Sequence, residues 1–257
     1  MTDDSSEVLE RELRYYEKLY AGFAQQHFAR PAVRALRAHM VSRLLGFLPD
    51  PKSARVLSLG CGIGDTEILL APYVKELHGV DLSPAAIRQA RQDSAALTNV
   101  HFFEGSLDSV QDQFDLVFGI FFLHHLPDAI LNAAPSKIAG MLAPGGTFYA
   151  LDPNRYRLSG AVGSLVVPHL MRKYQTADER ELDPMRTAAL FRSAGFDAGI
   201  NYYDFLSSPL AGLFPGWLRG YLITRIWDDF LIRVPLLQRI GSNFELVASL
   251  PPPAVKV

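Results

Sequence analysis

A glycine-rich turn between an apolar run and a helix-like segment constrains the fold of this chain more than any other feature. Residues 56–59 are a short, largely apolar run, which is typical of a parallel strand covered on both faces. Gly60, Gly62 and Gly64 follow, and their lack of a Cβ allows a sharp turn that a ligand can approach closely. Residues 65–70 then suit the first turns of a helix. The segment predicts a strand, a ligand-binding turn and a helix.

An acidic residue follows at the distance expected for a second strand. Asp81 lies 21 residues beyond Gly60, where the second strand of a βαβ unit returns beside the first. A carboxylate at this point accepts hydrogen bonds from two ribose hydroxyls, and such charge-assisted bonds contribute roughly 1.5–3 kcal/mol each. The glycine turn and Asp81 together predict a nucleoside-binding site.

The glycine spacing also separates classes of cofactor. A dinucleotide fingerprint requires G-x-G-x-x-G, whereas here the third glycine comes one residue early and Asp65 occupies the position of the last. An acid at the mouth of a helix opposes a pyrophosphate but tolerates an amine or a sulfonium. The chain has no Gly-Lys-Ser/Thr sequence, so a nucleoside triphosphate is poorly supported.

These residues resemble the class I methyltransferases that use S-adenosylmethionine. Residues 59–64 are similar to the first motif of that family, whose backbone contacts the methionine part of the cofactor. Asp81 matches the ribose-binding acid, and Leu82 matches the apolar residue that packs on the adenine. Residues 104–107 fall where the family has a segment beside the adenine, although Ser106 stands where an Asp is usual.

The similarity continues through the middle of the chain. Residues 114–126 resemble the fourth strand and its Leu-His-His-Leu sequel, and residues 142–148 resemble the Leu-x-Pro-Gly-Gly turn before the fifth strand. Residues 194–196 are a shorter match before the sixth strand. Motifs in this order identify the chain as a member of the family, over about residues 54–152.

The resemblance implies a fold and a cofactor. The fold is α/β, with a doubly wound, seven-stranded, mainly parallel sheet in the strand order 3-2-1-4-5-7-6, N-terminal helices and a helical insertion between strands 6 and 7. The cofactor is S-adenosyl-L-methionine. The residues expected to contact it are Gly60, Cys61, Gly62, Gly64, Asp81, Leu82, Ser106, Leu107, Gly119, Ile120, His124 and Tyr20.

Composition sets limits on the other possibilities. With 257 residues, 49% of them hydrophobic, the chain can bury the core of a single domain, 1–257. A formal net charge of −2 and the lack of a Lys/Arg run disfavour a nucleic-acid partner. Cys61 is the one cysteine, which excludes an internal disulfide, and we interpret it as a small packing residue rather than a reactive thiol. Because the first residues also lack a signal-peptide pattern, we expect a cytoplasmic protein.

The chain divides into segments with different predicted roles. Helical spacing at 7–20 and at 31–47 predicts helices, and Tyr20 is expected on a lid across the cofactor, with simple packing as the alternative. The predicted units are an N-terminal helical lid at 1–50, a cofactor-binding core at 54–152, and insertions at 155–173 and 208–241 that form a substrate cap.

The second insertion is too long for a simple connection. Residues 208–241 separate the candidate sixth strand, 199–206, from the candidate seventh, 243–250, although a hairpin needs only a few residues. We interpret the insertion as the roof of an apolar substrate pocket. The alternatives are packing in a homodimer rather than a monomer, extension of the core, or contact with a membrane surface through Trp217, Tyr221 and Trp227 beside Arg219, Arg225 and Arg233. Its prolines and charges exclude a spanning helix.

The implied chemistry is in-line displacement at the sulfonium carbon, for which positioning supplies roughly 7–11 kcal/mol. His125 is the first candidate for a general base or substrate contact, and His169 is the second. Local turn bonding is expected of Asp152 and Asn154. A metal set of His124, His125 and Asp128 is set aside because adjacent histidines point apart on most backbones, so no metal is predicted.

The sequence therefore predicts methyl transfer to an O, N or C atom of an apolar or aromatic small molecule, such as a secondary metabolite or a quinone-like or lipid-like compound. The partners expected are this acceptor and, through 208–241, a membrane surface. Two alternatives stay open: a cofactor-binding enzyme with another chemistry, such as a cyclase or decarboxylase, and a non-catalytic cofactor-binding protein. Retention of the glycines together with Asp81 disfavours the last.

Overall fold

The central sheet has the predicted strand order. The computed structural model describes residues 27–160 and 181–251. These residues form a seven-stranded sheet in the order β3-β2-β1-β4-β5-β7-β6, in which β7 runs antiparallel to both of its neighbours and the other pairs are parallel. The strands are β1 (Arg55–Leu59), β2 (Glu76–Asp81), β3 (Val100–Glu104), β4 (Phe114–Ile120), β5 (Leu142–Pro153), β6 (Asp197–Asp204) and β7 (Asn243–Ser249). The predicted fold class is confirmed.

Three of the seven described helices begin at a residue that favours a helix start. Pro31 lies in the first turn of the first helix, and the side chains of Ser83 and Asp183 accept backbone N–H groups at the starts of two others. The helices are α1 (Pro31–Leu45), α2 (Asp65–Leu70), α3 (Pro84–Asp93), α4 (Asp128–Met141), α5 (Pro184–Ser193), α6 (Ser207–Leu213) and α7 (Leu218–Leu231). The predicted helix at 7–20 and most of the insertion at 155–173 lie outside the described residues.

Two apolar layers cover the sheet and explain the composition of β1. Val56 belongs to a cluster that includes side chains of α1, α3 and α7, whereas Leu57 belongs to a second cluster that includes side chains of α4 and α5. Because successive strand residues point to opposite faces, a strand covered on both sides is apolar without alternation. The apolar run before the glycine turn is therefore explained by the central position of β1 in the sheet.

The fifth strand begins earlier than the sequence predicts. The Pro-Gly-Gly turn expected before it is part of β5, where Leu142 pairs with Phe114 and Thr147 pairs with Leu116. The residues between these pairs bulge out of the ladder, and Gly145 has a φ of 79°. A left-handed glycine at a bulge accounts for the turn-like sequence inside a strand.

The sixth strand and the insertion after it differ from the prediction by about two residues. β6 ends at Asp204, and the Asp204 carboxylate accepts the N–H of Ser208, in the first turn of α6, at 2.6 Å. The insertion consists of α6, α7 and a 3₁₀ turn at Leu237–Ile240. It packs against α1 and β6, and the Pro215 carbonyl accepts the N–H of Ala32 at 2.9 Å. Among the described helices, none is long and apolar enough to cross a membrane.

Candidate cofactor-binding and active site

A cavity of about 430 Å³ opens at the carboxyl ends of β1, β2 and β4. Ligands of open α/β sheets bind at this edge, where the direction of the crossovers reverses. The cavity is lined by Phe28, Arg37, Ser58, Leu59, Gly60, Cys61, Gly62, Ile63, Asp65, Thr66, Glu67, Val80, Asp81, Leu82, Ser83, Gly105, Ser106, Leu107, Asp108, Ile120, Phe121, Phe122, His125, Leu126, Ile130 and Lys137.

The glycine turn has the backbone conformation that its sequence requires. Gly60, Gly62 and Gly64 have φ angles of 68°, 53° and 76°, which lie in the left-handed region. The N–H groups of Gly60 and Cys61 both donate to the Val80 carbonyl, at 2.9 and 3.1 Å, and so fix the turn against β2. This arrangement leaves Gly60 and Gly62 on the cavity wall.

Asp81 bridges the turn and the start of the next helix. Its Oδ2 accepts the N–H of Gly62 at 2.8 Å, and its Oδ1 accepts the N–H of Ser83 at 2.9 Å. Burial raises the pKa of Asp81 above its ordinary value, and the two backbone donors act against that rise. Each carboxylate oxygen has a further lone pair, so the group can also accept two ligand hydroxyls.

Charged side chains of both signs also line the cavity. Arg37 on α1 places its Nε 2.7 Å from Oδ2 of Asp65, but without the alignment of a hydrogen bond, and both atoms are buried without a hydrogen-bond partner among the described residues. Glu67 accepts a hydrogen bond from Oγ of Ser58 at 2.6 Å. Burial, with a smaller contribution from the charge of Asp65, raises the pKa of Glu67 to about 7. The cavity wall therefore carries a guanidinium that can donate to an anion and a carboxyl group that can accept from a cation.

The two adjacent histidines face each other, which corrects the expectation that they point apart. His124 and His125 lie on a 3₁₀ turn, where consecutive side chains do not alternate as they do in a strand, and their ring centroids are 3.8 Å apart. Nδ1 of His124 lies 2.7 Å from Oδ1 of Asp152, and the His124 N–H donates to the same oxygen at 3.2 Å. Asp152 therefore holds His124, and His125 lies on the cavity wall.

Asn154 makes the local turn bond that its sequence predicts, whereas Asp152 does not. Oδ1 of Asn154 accepts the N–H of Tyr156 at 3.0 Å, two residues further on. The expectation for Asp152 was wrong because its carboxylate lies at the end of β5 beside the turn that carries His124.

Most of the predicted cofactor residues come together in the cavity. Gly64, Gly119 and His124 are not among its lining residues, and Tyr20 and His169 lie outside the described residues. A Cβ at Gly64 would approach Cζ of Phe102 to 2.6 Å, so this glycine serves the packing of the turn. The predicted residues that line the cavity are Gly60, Cys61, Gly62, Asp81, Leu82, Ser106, Leu107, Ile120 and His125.

Several lining residues were missed by the sequence analysis. Arg37 belongs to a helix that precedes the glycine turn by more than a dozen residues, and only the packing of α1 beside α2 brings it to Asp65. The Phe122 ring covers the turn so closely that a Cβ at Gly60 would meet its Cδ2 at 2.6 Å. Asp108 lines the cavity two residues beyond Ser106, whose hydroxyl accepts the Asp108 N–H at 3.2 Å. The Asp108 carboxylate is 70% exposed and accepts a hydrogen bond from Nζ of Lys137 at 2.7 Å.

None of the residues described in 208–241 lines the cavity, so the predicted roof is not part of its wall in this structure. Two of the residues proposed for a membrane face are also buried in the protein. Tyr221 is 2% exposed, and Arg225 is 7% exposed with its guanidinium donating to the Tyr203 carbonyl and to Asp229. Most of the exposed residues of α7 are apolar, and the charged ones among them are Arg219 and Asp229.

The sequence of this chain is similar to those of known methyltransferases. A family model described as a methyltransferase domain matches residues 56–146. The chain is 30% identical over 176 residues to the ubiquinone biosynthesis O-methyltransferase of Xanthomonas axonopodis pv. citri (strain 306), covering 64% of this chain and 70% of that one. It is also 30% identical over 142 residues to the uncharacterized methyltransferase YcgJ of Bacillus subtilis (strain 168), covering 53% and 54%. The chain thus spans about half the length of this second relative.

The fold is similar to that of solved methyltransferase structures. The N-methyltransferase NodS from Bradyrhizobium japonicum WM9, in complex with S-adenosyl-L-homocysteine, aligns with a TM-score of 0.58 and 15% identity over 92% of this chain and 96% of that one. At this identity the likeness concerns the fold.

Proposed function

This chain belongs to the class I S-adenosylmethionine-dependent methyltransferases, and we propose that it transfers a methyl group from that cofactor to an O, N or C atom of an apolar or aromatic small molecule. The single observation that carries the proposal is one cavity that is lined by the glycine turn, by Asp81 and by the charged side chains of Arg37 and Glu67. A nucleoside that bears an amino acid has groups that match these features, because its hydroxyls suit Asp81 and its carboxylate and ammonium suit the two charges.

The residues present fit the cofactor. We propose that Asp81 accepts hydrogen bonds from the ribose hydroxyls, that Arg37 donates to the carboxylate and that Glu67 accepts from the ammonium group. The buried Arg37 Nε and Asp65 Oδ2, which have no hydrogen-bond partner among the described residues, support the placement of the charged end. Cys61, with Gly60 and Gly62, presents backbone along the same wall. Leu82, Ser106, Leu107 and Ile120, which line the cavity, complete this set. Gly64, Gly119, His124 and Tyr20 stay predicted contacts.

The acceptor side of the cavity is apolar. The apolar residues Phe121, Phe122, Leu126 and Ile130 line the cavity, and His125 is the imidazole among its lining residues. We propose that the acceptor binds among them. When bound, the cofactor supplies a methyl group on a positively charged sulfur that is already an activated leaving group. The protein then has to place the acceptor atom in line and exclude water. We propose that His125 contacts the acceptor and accepts its proton where the acceptor is a phenol or an enol, and that His169 is the second candidate.

Transfer of label tests the proposed reaction. The purified protein is incubated with S-adenosylmethionine labelled in its methyl group and with a phenol, a hydroquinone and a long-chain amine. We expect label in at least one product and none with Asp81→Ala. Conversion without transfer of label would support a cyclase or decarboxylase instead, and failure to bind the cofactor would contradict the proposal.

Binding of two ligands tests the charged end of the cavity. We expect Arg37→Met to weaken binding of S-adenosylhomocysteine by tenfold or more, since a charge-assisted hydrogen bond is worth roughly 1.5–3 kcal/mol. Binding of methylthioadenosine, which lacks the amino-acid end, should not change. Calorimetry measures both, and an equal loss for the two ligands would place Arg37 elsewhere in the site.

We further propose peripheral contact with a membrane surface through the outer face of α7. Ile223, Ile226, Trp227 and Phe230 recur at helical spacing on this face, and each is more than half exposed. The exposed residues Arg219 and Arg233 lie at the two ends of the helix. This composition suits an interfacial helix and an apolar acceptor delivered from lipid. A cytoplasmic location, and the choice between monomer and homodimer, remain expectations.

A further inference from the structure

Two histidines and a glutamate converge at the edge of the sheet opposite the cofactor cavity. Glu76 and His78 are two residues apart on β2 and therefore share a face, and His101 is the register partner of His78 on β3. Asp81, at the other end of β2, is five residues from Glu76, which corresponds to about 16 Å along a strand. None of the three lines the cavity.

The three side chains present nitrogen and oxygen atoms to one point. Nε2 of His78 lies 2.9 Å from Oε1 of Glu76, and Nε2 of His101 lies 3.8 Å from the same oxygen. One ligand atom from each residue lies within 4.8 Å of the others. Ligand atoms of a tetrahedral zinc ion with bonds of about 2.0–2.1 Å are separated by about 3.4 Å. Small movements of the rings would therefore complete a three-ligand site.

A neighbouring arginine orients the Glu76 carboxylate. Nε of Arg55 donates to Oε2 of Glu76 at 2.8 Å, which leaves Oε1 directed toward the imidazoles. Arg55 also lies 3.6 Å from Asp112, which offsets its positive charge.

The packing of His78 and the exposure of His101 also suit a metal-binding site. The His78 ring packs edge-on against Phe103 and Phe114, with ring centroids 6.4 and 5.2 Å apart, and its side chain is 16% exposed. The side chain of His101 on the edge strand is 53% exposed and gives an ion access from solvent. One ligand is thus fixed and another is accessible.

We propose that Glu76, His78 and His101 form a binding site for a divalent transition-metal ion such as Zn²⁺, with its fourth position open to water. Two imidazole nitrogens and one carboxylate oxygen are ligands that Zn²⁺, Ni²⁺ and Cu²⁺ accept. The ion would join edge strand β3 to β2, far from the methyl-transfer site. Its role is therefore to bind and stabilise the edge of the sheet, independently of the cofactor.

A zinc titration of the tag-free full chain, after treatment with a chelator, tests this site. We expect one Zn²⁺ bound per chain by calorimetry and a rise in Tm on adding Zn²⁺, because an ion that binds the native state stabilises it. His101→Ala should weaken binding by tenfold or more and remove the rise in Tm. His101→Cys should retain the site, since a thiolate also binds zinc.

A matched control is Asp197→Asn, which removes an exposed carboxylate on β6, at the other edge of the sheet, and should leave zinc binding unchanged. The affinity for S-adenosylhomocysteine should be the same in wild type and His101→Ala, which also shows that the variant is folded. The absence of saturable zinc binding would overturn the proposal, and so would equal affinity in wild type and His101→Ala.

Discussion

At the scale of single residues, two acids that line the cavity define the proposed cofactor site in different ways. Asp81 is held by two backbone N–H groups and keeps free lone pairs for a ligand. Glu67 has one hydrogen bond, from Ser58, and a pKa raised to about 7 by burial. Asp81 is therefore suited to accept hydrogen bonds from hydroxyl groups. Glu67 is suited to bind a cation, because a nearby positive charge favours its ionised form.

Loss of the Asp81 carboxylate should weaken cofactor binding strongly. We expect Asp81→Ala to raise the Kd of S-adenosylhomocysteine by tenfold or more, at about 1.4 kcal/mol per tenfold. Asp112→Asn, which changes an exposed carboxylate outside the cavity, should leave the Kd unchanged. Calorimetry that gives the same affinity for Asp81→Ala and wild type would refute the ribose contact.

Cofactor affinity should depend on pH through Glu67. The free protein holds a proton on Glu67 below its pKa of about 7, and pairing with an ammonium group requires that this proton leave. We therefore expect affinity for S-adenosylhomocysteine to fall by up to about tenfold per pH unit below pH 7, and to level off above it. Glu67→Gln should remove this slope. Persistence of the slope in that variant would assign the proton to another group.

At the scale of elements, the turn between β1 and α2 depends on packing as much as on backbone freedom. Gly64 has a φ of 76° and lies against Phe102 of β3 and Ala90 of α3. Gly140 in α4, by contrast, has no positive φ and open space where a Cβ would point. The two glycines therefore have opposite consequences for substitution.

Gly64→Ala should destabilise the protein. A left-handed residue with a Cβ costs about 1–2 kcal/mol, and forcing the Cβ against Phe102 adds about 1–3 kcal/mol. Gly140→Ala should leave the free energy of unfolding unchanged or raise it by up to about 1 kcal/mol, because alanine is the better helix former. Urea denaturation measures both. Equal stability of Gly64→Ala and wild type would mean that the turn tolerates a side chain.

At the scale of the whole molecule, the sheet separates three surfaces. The cofactor cavity lies at the carboxyl ends of the strands, the proposed metal site lies toward the amino ends of β2 and β3, and the apolar face of α7 lies beyond α1 and β6. Each can be altered without touching the others. Effects on lipid, metal and cofactor binding should therefore be independent.

Vesicle co-sedimentation tests the proposed membrane face. We expect the wild type to sediment with vesicles that contain anionic lipid, and the double variant Ile226→Ser/Trp227→Ser to bind at least tenfold more weakly, since burial of each apolar side chain is worth roughly 1.5–3 kcal/mol. Tyr73→Ser removes an aromatic residue of similar exposure elsewhere and should have no effect. Equal sedimentation of the double variant and wild type would contradict membrane contact.

The sequence by itself determined the fold class, the strand order through its resemblance to a family, and the residues of the glycine turn with Asp81. These signals are local, because period, turn chemistry and strand-to-strand spacing act over a few tens of residues. The structure alone decided which distant side chains meet. Arg37 reaches Asp65 only because α1 packs beside α2, and the facing rings of His124 and His125 depend on a 3₁₀ turn.

The proposed metal site also depends on side chains that only the tertiary structure brings together. His78 and His101 are separated by more than twenty residues, and their pairing depends on the register of β2 with β3. A shift of one residue in that register would place His101 on the other face of the sheet. No spacing rule contains this information, because register is set by the packing of both faces of the sheet and not by the residues that it brings together.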